Sequence, residues 1–181
     1  MIGERSSTYY SSPVGWLELA SDGQALTKIG FLGKEGGAEF EISRTPPDDI
    51  LSKTIRQLDA YFIGERTTFD ILLNPAGTAF QQLVWSELRR IPWGKTVSYA
   101  YIARAIGHPT SYRAVGAANG RNPIPIVVPC HRVIGADGSL TGFGGGLEIK
   151  QWLLQHESTS SNDADWGWRQ DMIPARFALQ A

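Results

Sequence analysis

With 181 residues, 42% hydrophobic and 19% charged, the chain is long enough for one or two compact domains and reads as an ordinary soluble globular protein. Its one cysteine rules out an internal disulfide and any Cys-x-x-Cys metal site. No apolar run reaches a membrane span, and residues 1–12 lack the apolar core of a secretory signal, so the expected setting is the reducing cytoplasm. The net charge of −1 selects no partner, but residues 1–80 carry −4 and residues 81–157 carry +4, a mild cationic bias toward a polyanion.

Residues 14–20 read as a strand, Asp22-Gly23 as a hairpin turn and residues 25–32 as the returning strand, followed by a loop over residues 33–37. Pro46-Pro47 before Asp48 and Asp49 starts a helix, because acidic side chains favour the positive end of the helix dipole. Leu51, Ile55, Leu58 and Phe62 recur at the spacing of one buried helical face, and Gly64 closes it. Residues 69–73 are expected to form another strand. Asn74-Pro75-Ala76-Gly77 then marks the expected boundary between a first module, residues 1–75, and a second, residues 76–157.

The second module is helical in texture. Thr78 and Gln81 have capping-box spacing, Phe80, Leu83, Val84, Leu88 and Ile91 form an apolar stripe, and Pro92-Trp93-Gly94 breaks the helix. Ser98 is placed to cap a helix ending near Ile106, and Ser111 to cap another from Tyr112 to about Gly120. Helix, short Gly-containing turn and helix form a helix-turn-helix pattern, which simple packing of two helices also produces. The second of these helices carries Ala114, Gly116, Ala117, Ala118 and Gly120. A helical glycine costs about 1 kcal/mol relative to alanine. Close packing, or close approach to a surface as narrow as the DNA minor groove, would offset that cost. Residues 122–129, with prolines at 123, 125 and 129, are expected to be extended and to deliver Cys130 at the end of a stiff segment. A glycine-rich loop follows over residues 135–146, then a helix over residues 148–157 with Ile149, Trp152 and Leu153 on one face. Residues 158–181 form an extension.

Chemistry centres on Pro129-Cys130-His131-Arg132. A thiol is a useful nucleophile only as thiolate, so Cys130 needs a basic or cationic partner. His131 is adjacent, and Glu157 arrives one helix later with a carboxylate able to orient an imidazole. Inert core packing is the competing reading of a lone cysteine. His108 reads as a solvated or phosphate-facing turn residue and His156 as structural. Arg132 either touches phosphate or braces the fold. The glycine run at 142–146 fails the dinucleotide fingerprint.

The segment Pro129-Cys130-His131-Arg132-Val133-Ile134 resembles the active-site signature of the O6-alkylguanine-DNA alkyltransferases, or methylated-DNA–protein-cysteine methyltransferases. The likeness extends through Arg113-Ala114-Val115-Gly116-Ala117-Ala118-Asn119, Asn122-Pro123-Ile124-Pro125, Gly145-Gly146-Leu147 and Lys150-Gln151-Trp152-Leu153-Leu154. It is strong over residues 78–157. It implies an α+β fold, with a small RNase H-like α/β module followed by a helical, winged-helix-like domain carrying the helix-turn-helix. It implies single-turnover, irreversible transfer of an alkyl group, mainly methyl, from O6 of guanine (and O4 of thymine) in DNA to Cys130.

The same resemblance implies residue roles. Cys130 accepts the alkyl group, His131 acts on it through a water, and Glu157 holds His131. Asn122 ties the helix-turn-helix to the active-site segment. Arg113 fills the base stack vacated by a flipped nucleotide. Tyr99 contacts phosphate and assists the leaving guanine. Ser98, Tyr112, Gly116, Ala117 and Asn119 complete the DNA face. Val133, Phe143, Gly144 and Tyr99 form the base pocket, in which the carbonyls of Cys130 and Val133 and the amide of Gly144 face guanine. The partner is double-stranded DNA, bound through its minor groove by a monomer. No cofactor or metal is implied. Relatives often carry tyrosine where Phe143 stands, and the zinc that some hold through cysteines is impossible here, with one cysteine. A non-catalytic lesion binder on the same fold, a cysteine hydrolase and a plain DNA-binding regulator are the competing functions.

Overall fold

The computed structural model describes residues 6–35 and 47–159. The first module is a three-stranded antiparallel sheet in the order β1 (Ser6–Ser12), β2 (Gly15–Ser21), β3 (Leu26–Gly33), covered by helix α1 (Asp49–Phe62). The second contains α2 (Ala79–Leu88), a short strand β4 (Val97–Ser98), α3 (Tyr99–Ala105), α4 (Tyr112–Gly120), a 3-10 turn (Cys130–Arg132), β5 (Val133–Ile134) and α5 (Leu147–Thr159). Strands β4 and β5 pair in parallel, Val97 with Val133 and Ser98 with Ile134, which brings the start of α3 beside the segment that follows Cys130. The α+β fold class is as the resemblance implies. The loop over 33–37, the prolines before Asp48 and the extension over 158–181 lie partly or wholly outside the described residues.

The hairpin of β2 and β3 follows the expected pattern, with Asp22 Oδ1 accepting from the amides of Gln24 and Ala25 in the turn. Strand β1 was not anticipated, because its sequence is polar. Thr8 and Tyr10 nevertheless alternate inward, and the Tyr10 hydroxyl donates to Asp59 of α1 at 2.8 Å. Helix α1 starts where expected, with Asp48 as its cap accepting from the Leu51 amide at 2.7 Å, and ends before Gly64 at φ 78°. Its buried face is rotated from the expected one. Leu51, Thr54, Gln57, Leu58 and Tyr61 are inside, while Ile55 and Phe62 are half-buried.

Residues 69–73 do not form the expected strand. Only Leu73 bridges to Leu26. The reason is a competing partner: the Gln57 side chain accepts from the Asp70 amide at 2.8 Å and donates to the Asp70 carbonyl at 3.0 Å, taking the groups a ladder would use.

The Thr78–Gln81 capping box is present in both directions. The stripe on α2 is shifted, however. Leu83 is exposed and Trp85 is buried, its indole N–H donating to the Ala118 carbonyl of α4 at 2.9 Å. The helix ends at Leu88, before the proline expected to break it. Ser98 caps α3 by accepting from the Tyr101 amide at 3.1 Å. Ser111 occupies the cap position of α4, yet its backbone (φ −91°, ψ 24°) lies outside the extended region usual for a cap and its side chain makes no capping bond.

Residues 122–129 correct a larger expectation. Prolines do exclude a helix, but the segment is a compact turn, not an extended rod. Ile126 takes a left-handed conformation at φ 73°, rare and costly for a β-branched residue, and the Val128 amide bonds back to the Ile124 carbonyl at 2.9 Å. Asn122 clamps both ends. Its Oδ1 accepts from the Ile124 amide at 3.0 Å and its Nδ2 donates to the Val128 carbonyl at 2.7 Å.

Candidate active site

Cys130 sits in the 3-10 turn that leaves this clamp. Next to it, His131 Nε2 lies 2.8 Å from Glu157 Oε1, with the two side chains 0% and 1% exposed. A carboxylate accepts only, so Nε2 carries the proton and Nδ1 is the basic nitrogen. Among the described residues, Nδ1 has no hydrogen-bond partner. Arg132 braces the fold internally. Its Nε and Nη2 donate to the two oxygens of Glu157 at 2.8 and 2.9 Å, and its Nη1 donates to the Ile91 carbonyl at 2.6 Å. That bidentate geometry is the strong form of the interaction. The Tyr61 hydroxyl adds a bond to Glu157 Oε1 at 2.9 Å and the Gly94 amide one to Oε2 at 3.3 Å.

The charges follow from this packing. Burial alone would raise the Glu157 carboxyl, but His131 and Arg132 outweigh it and hold the group well below the usual range. Burial lowers the His131 imidazole despite Glu157. Burial pushes the Cys130 thiol up to about 11, opposed by a hydrogen bond from Asn122 and the charge of Lys150. At neutral pH the resting site therefore holds a neutral thiol and a neutral imidazole.

Lys150 is wholly buried, and its Nζ donates to the carbonyls of Val133 and Thr141, each at 2.7 Å. Burial brings its ammonium down to about 8. Sequence reasoning included Lys150 in a motif and gave it no role, and it missed Tyr61. The spacing of Lys150, Leu153, Leu154 and Glu157 on one face of α5 was the available signal, since it puts a charge at each end of a buried stripe.

A cavity of about 170 Å3 opens onto Cys130. Asn119, Asn122, Pro125 and Gly144 line it from the second module, and Ile29, Gly30 and Phe31 from β3. Of the expected base-pocket residues, only Gly144 is in this lining. Tyr99 is nearby: its ring lies against Gly116, its hydroxyl donates to the Thr141 carbonyl at 3.1 Å, and burial, with the charge of Cys130 adding, raises its phenol. Phe143 packs on Phe31, and Val133 is buried. The Val133 carbonyl accepts from Lys150 Nζ, while the Cys130 carbonyl accepts from both Asn119 Nδ2 (3.3 Å) and the Val133 amide.

Of the expected DNA face, Tyr112, Arg113 and Ala117 are exposed and Gly116 is half-buried, with the Arg113 guanidinium 5.9 Å from the Tyr112 ring centroid. Asn119 is a correction. It is 1% exposed and turned inward to Cys130, on the face of α4 that also buries Val115 and Ala118, so it lines the cavity and is absent from the outer face of the helix. Ser98 spends its oxygen on the α3 cap. His108 is exposed and edge-on to Phe80, and His156 is tied to the Tyr61 carbonyl at 2.8 Å.

The one cysteine of the chain thus lines a cavity next to a buried carboxylate–imidazole pair and a helix-turn-helix. Two family models match: the 6-O-methylguanine DNA methyltransferase ribonuclease-like domain over residues 6–75 and the DNA binding domain of the same family over residues 79–159. The chain belongs to this 6-O-methylguanine DNA methyltransferase family. It is 47% identical over 150 residues to a methylated-DNA–protein-cysteine methyltransferase of Methanosarcina acetivorans, covering 83% of this chain and 96% of that protein. The Mycobacterium tuberculosis protein of the same name is 51% identical over 151 residues, covering 82% and 89%. The structure of M. tuberculosis OGT in complex with DNA matches with a TM-score of 0.76 at 48% identity, over 86% of this chain and 94% of that one.

Proposed function

We propose that the chain repairs DNA by direct reversal, moving an alkyl group, mainly methyl, from O6 of guanine to its own Cys130. The observation that carries this is the one thiol of the chain, Cys130, lining a cavity, with the adjacent His131 hydrogen-bonded to Glu157. A base inside a duplex cannot reach such a thiol, so the lesion must leave the stack, at a cost of a few kcal/mol. Arg113, exposed on α4, occupies the vacated space and offsets that cost. The small exposed face of α4 lets the backbone approach the minor groove.

The transfer is an in-line displacement. The thiol proton passes through a water to Nδ1 of His131, and Glu157 stabilises the imidazolium that results. The sulfur attacks the alkyl carbon, the carbon–O6 bond breaks, and its electron pair stays with the base. The Tyr99 phenol, raised and therefore protonated, supplies the proton that turns the departing base into guanine. Lys150, a cation beside the sulfur, favours the thiolate in passing. The product is a thioether, which thiol exchange does not reverse, so each molecule acts once.

The reading gives residues 1–75 a supporting role and residues 76–157 the binding and the chemistry. It places a monomer in the reducing cytoplasm. A duplex carrying O6-methylguanine should regain guanine in proportion to added protein, up to one equivalent, and Cys130→Ser should restore none. Restoration by the serine variant would refute the assignment. A lesion binder has no use for an acceptor thiol held this way, and that reading is not favoured.

A further inference from the structure

Among the described residues, the cavity beside Cys130 has one aromatic ring in its lining, and it comes from the other module: Phe31 of β3. Strand β3 is pinned to the site at two points. The Ile29 amide donates to the Pro123 carbonyl at 2.8 Å, in the turn that leads to Cys130. Two residues on, the Phe31 ring packs against Phe143 with centroids 5.5 Å apart and planes tilted by 57°. Gly145 leaves room for this contact, since a Cβ there would lie 2.7 Å from the Phe31 ring. Leu17, the cross-strand partner of Phe31, is wholly buried behind it. The ring is therefore held from the sheet side and from the loop side.

Stereochemistry makes this wall matter. In an in-line displacement the sulfur, the transferred carbon and the departing oxygen are collinear, so any substituent on that carbon projects sideways. A methyl group projects only hydrogens. A benzyl group projects a ring, which must fit in the space beside Cys130. We propose that Phe31 sets the size of the alkyl group that Cys130 accepts, so that the N-terminal module supplies a specificity-determining residue of the transfer site. This rests on the alkyl-transfer reading above.

The test measures single-turnover rates on two duplexes of the same sequence, one with O6-methylguanine and one with O6-benzylguanine, so that DNA affinity cancels in the ratio. Phe31→Ala is expected to raise the benzyl-to-methyl ratio by about tenfold, the scale on which an apolar pocket discriminates small changes in bulk. Phe31→Trp is expected to lower it. Phe31→Leu keeps the apolar packing, sheds the ring and should also raise the ratio, which covers failure of the alanine variant to fold. Methyl transfer by the wild-type protein is the control for the underlying reading, whose failure would appear there as no transfer at all. With that control positive, a ratio unchanged in the folded variants, or moved in the same direction by leucine and tryptophan, overturns the role of Phe31.

Discussion

Behind Cys130, Glu157 collects hydrogen bonds from Tyr61, Gly94, His131 and Arg132, and these side chains are almost wholly buried. In front of it lie a cavity, a glycine-rich loop and the exposed face of α4. The rear holds a carboxylate and a guanidinium out of water, which is tolerable only because each is matched. The front makes few internal bonds and leaves Tyr112 and Arg113 at the surface. The difference separates two tasks. Proton handling is insulated and coupled to stability, whereas lesion capture is exposed and can be altered without unfolding the protein.

The sharpest way to break that contrast is Glu157→Gln. It leaves Arg132 buried without a counter-charge, and removing one partner of such a pair costs about 3–5 kcal/mol. Thermal or denaturant unfolding should register that loss together with a collapse in transfer rate. A variant as stable as wild type would show that the rear is not the tightly matched unit described. Arg113→Ala tests the front. Its stability should be unchanged, while repair of duplex O6-methylguanine falls roughly tenfold or more, because extrusion costs a few kcal/mol. Reaction with free O6-benzylguanine, which needs no extrusion, should hardly move. Equal losses on both substrates would remove the case for Arg113.

Smaller effects sharpen the picture. Tyr61→Phe deletes one donor to a charged acceptor and should cost about 1.5 kcal/mol of unfolding free energy. It should also slow transfer, although Tyr61 lies in the first module. A rate identical to wild type would limit Tyr61 to packing. The smallest effect is on thiol titration. Burial favours the neutral form and puts the Cys130 thiol at about 11, so the thiolate fraction at any lower pH is below that of a free cysteine. Modification of the DNA-free protein by iodoacetamide should therefore keep accelerating above pH 9, where a free thiol of pKa about 8.5 levels off. A plateau near pH 8.5 would contradict a buried, protonated resting state.

Features set by neighbours in the chain were legible from sequence. The helix start at Asp48-Asp49, the Thr78–Gln81 box, the Ser98 cap and the last helix depend on residues near in the chain, and each is present. The resemblance around Cys130 implied that Glu157 holds His131 and that Asn122 ties the segment together, and both sets of hydrogen bonds are present. Features decided by distant partners were not legible. Strand β1 looks like a polar tail until Tyr10 meets Asp59. Residues 69–73 look like a strand until Gln57 takes the hydrogen bonds of Asp70 and leaves a single bridge at Leu73. Tyr61 stands 96 residues from the Glu157 it supports. Asn119 belongs to a small-residue helix that reads as a DNA face, yet its position in the helical period turns it toward Cys130. The run of prolines excluded a helix but did not show the reversal that a left-handed Ile126 imposes.

The most direct test of the account is the mass of the protein after incubation with excess duplex O6-methylguanine. The chain should gain a single methyl group, carried by the peptide that contains Cys130, and then stop reacting. Continued turnover past stoichiometry, an unmodified chain, or a methyl group on any other residue would contradict it.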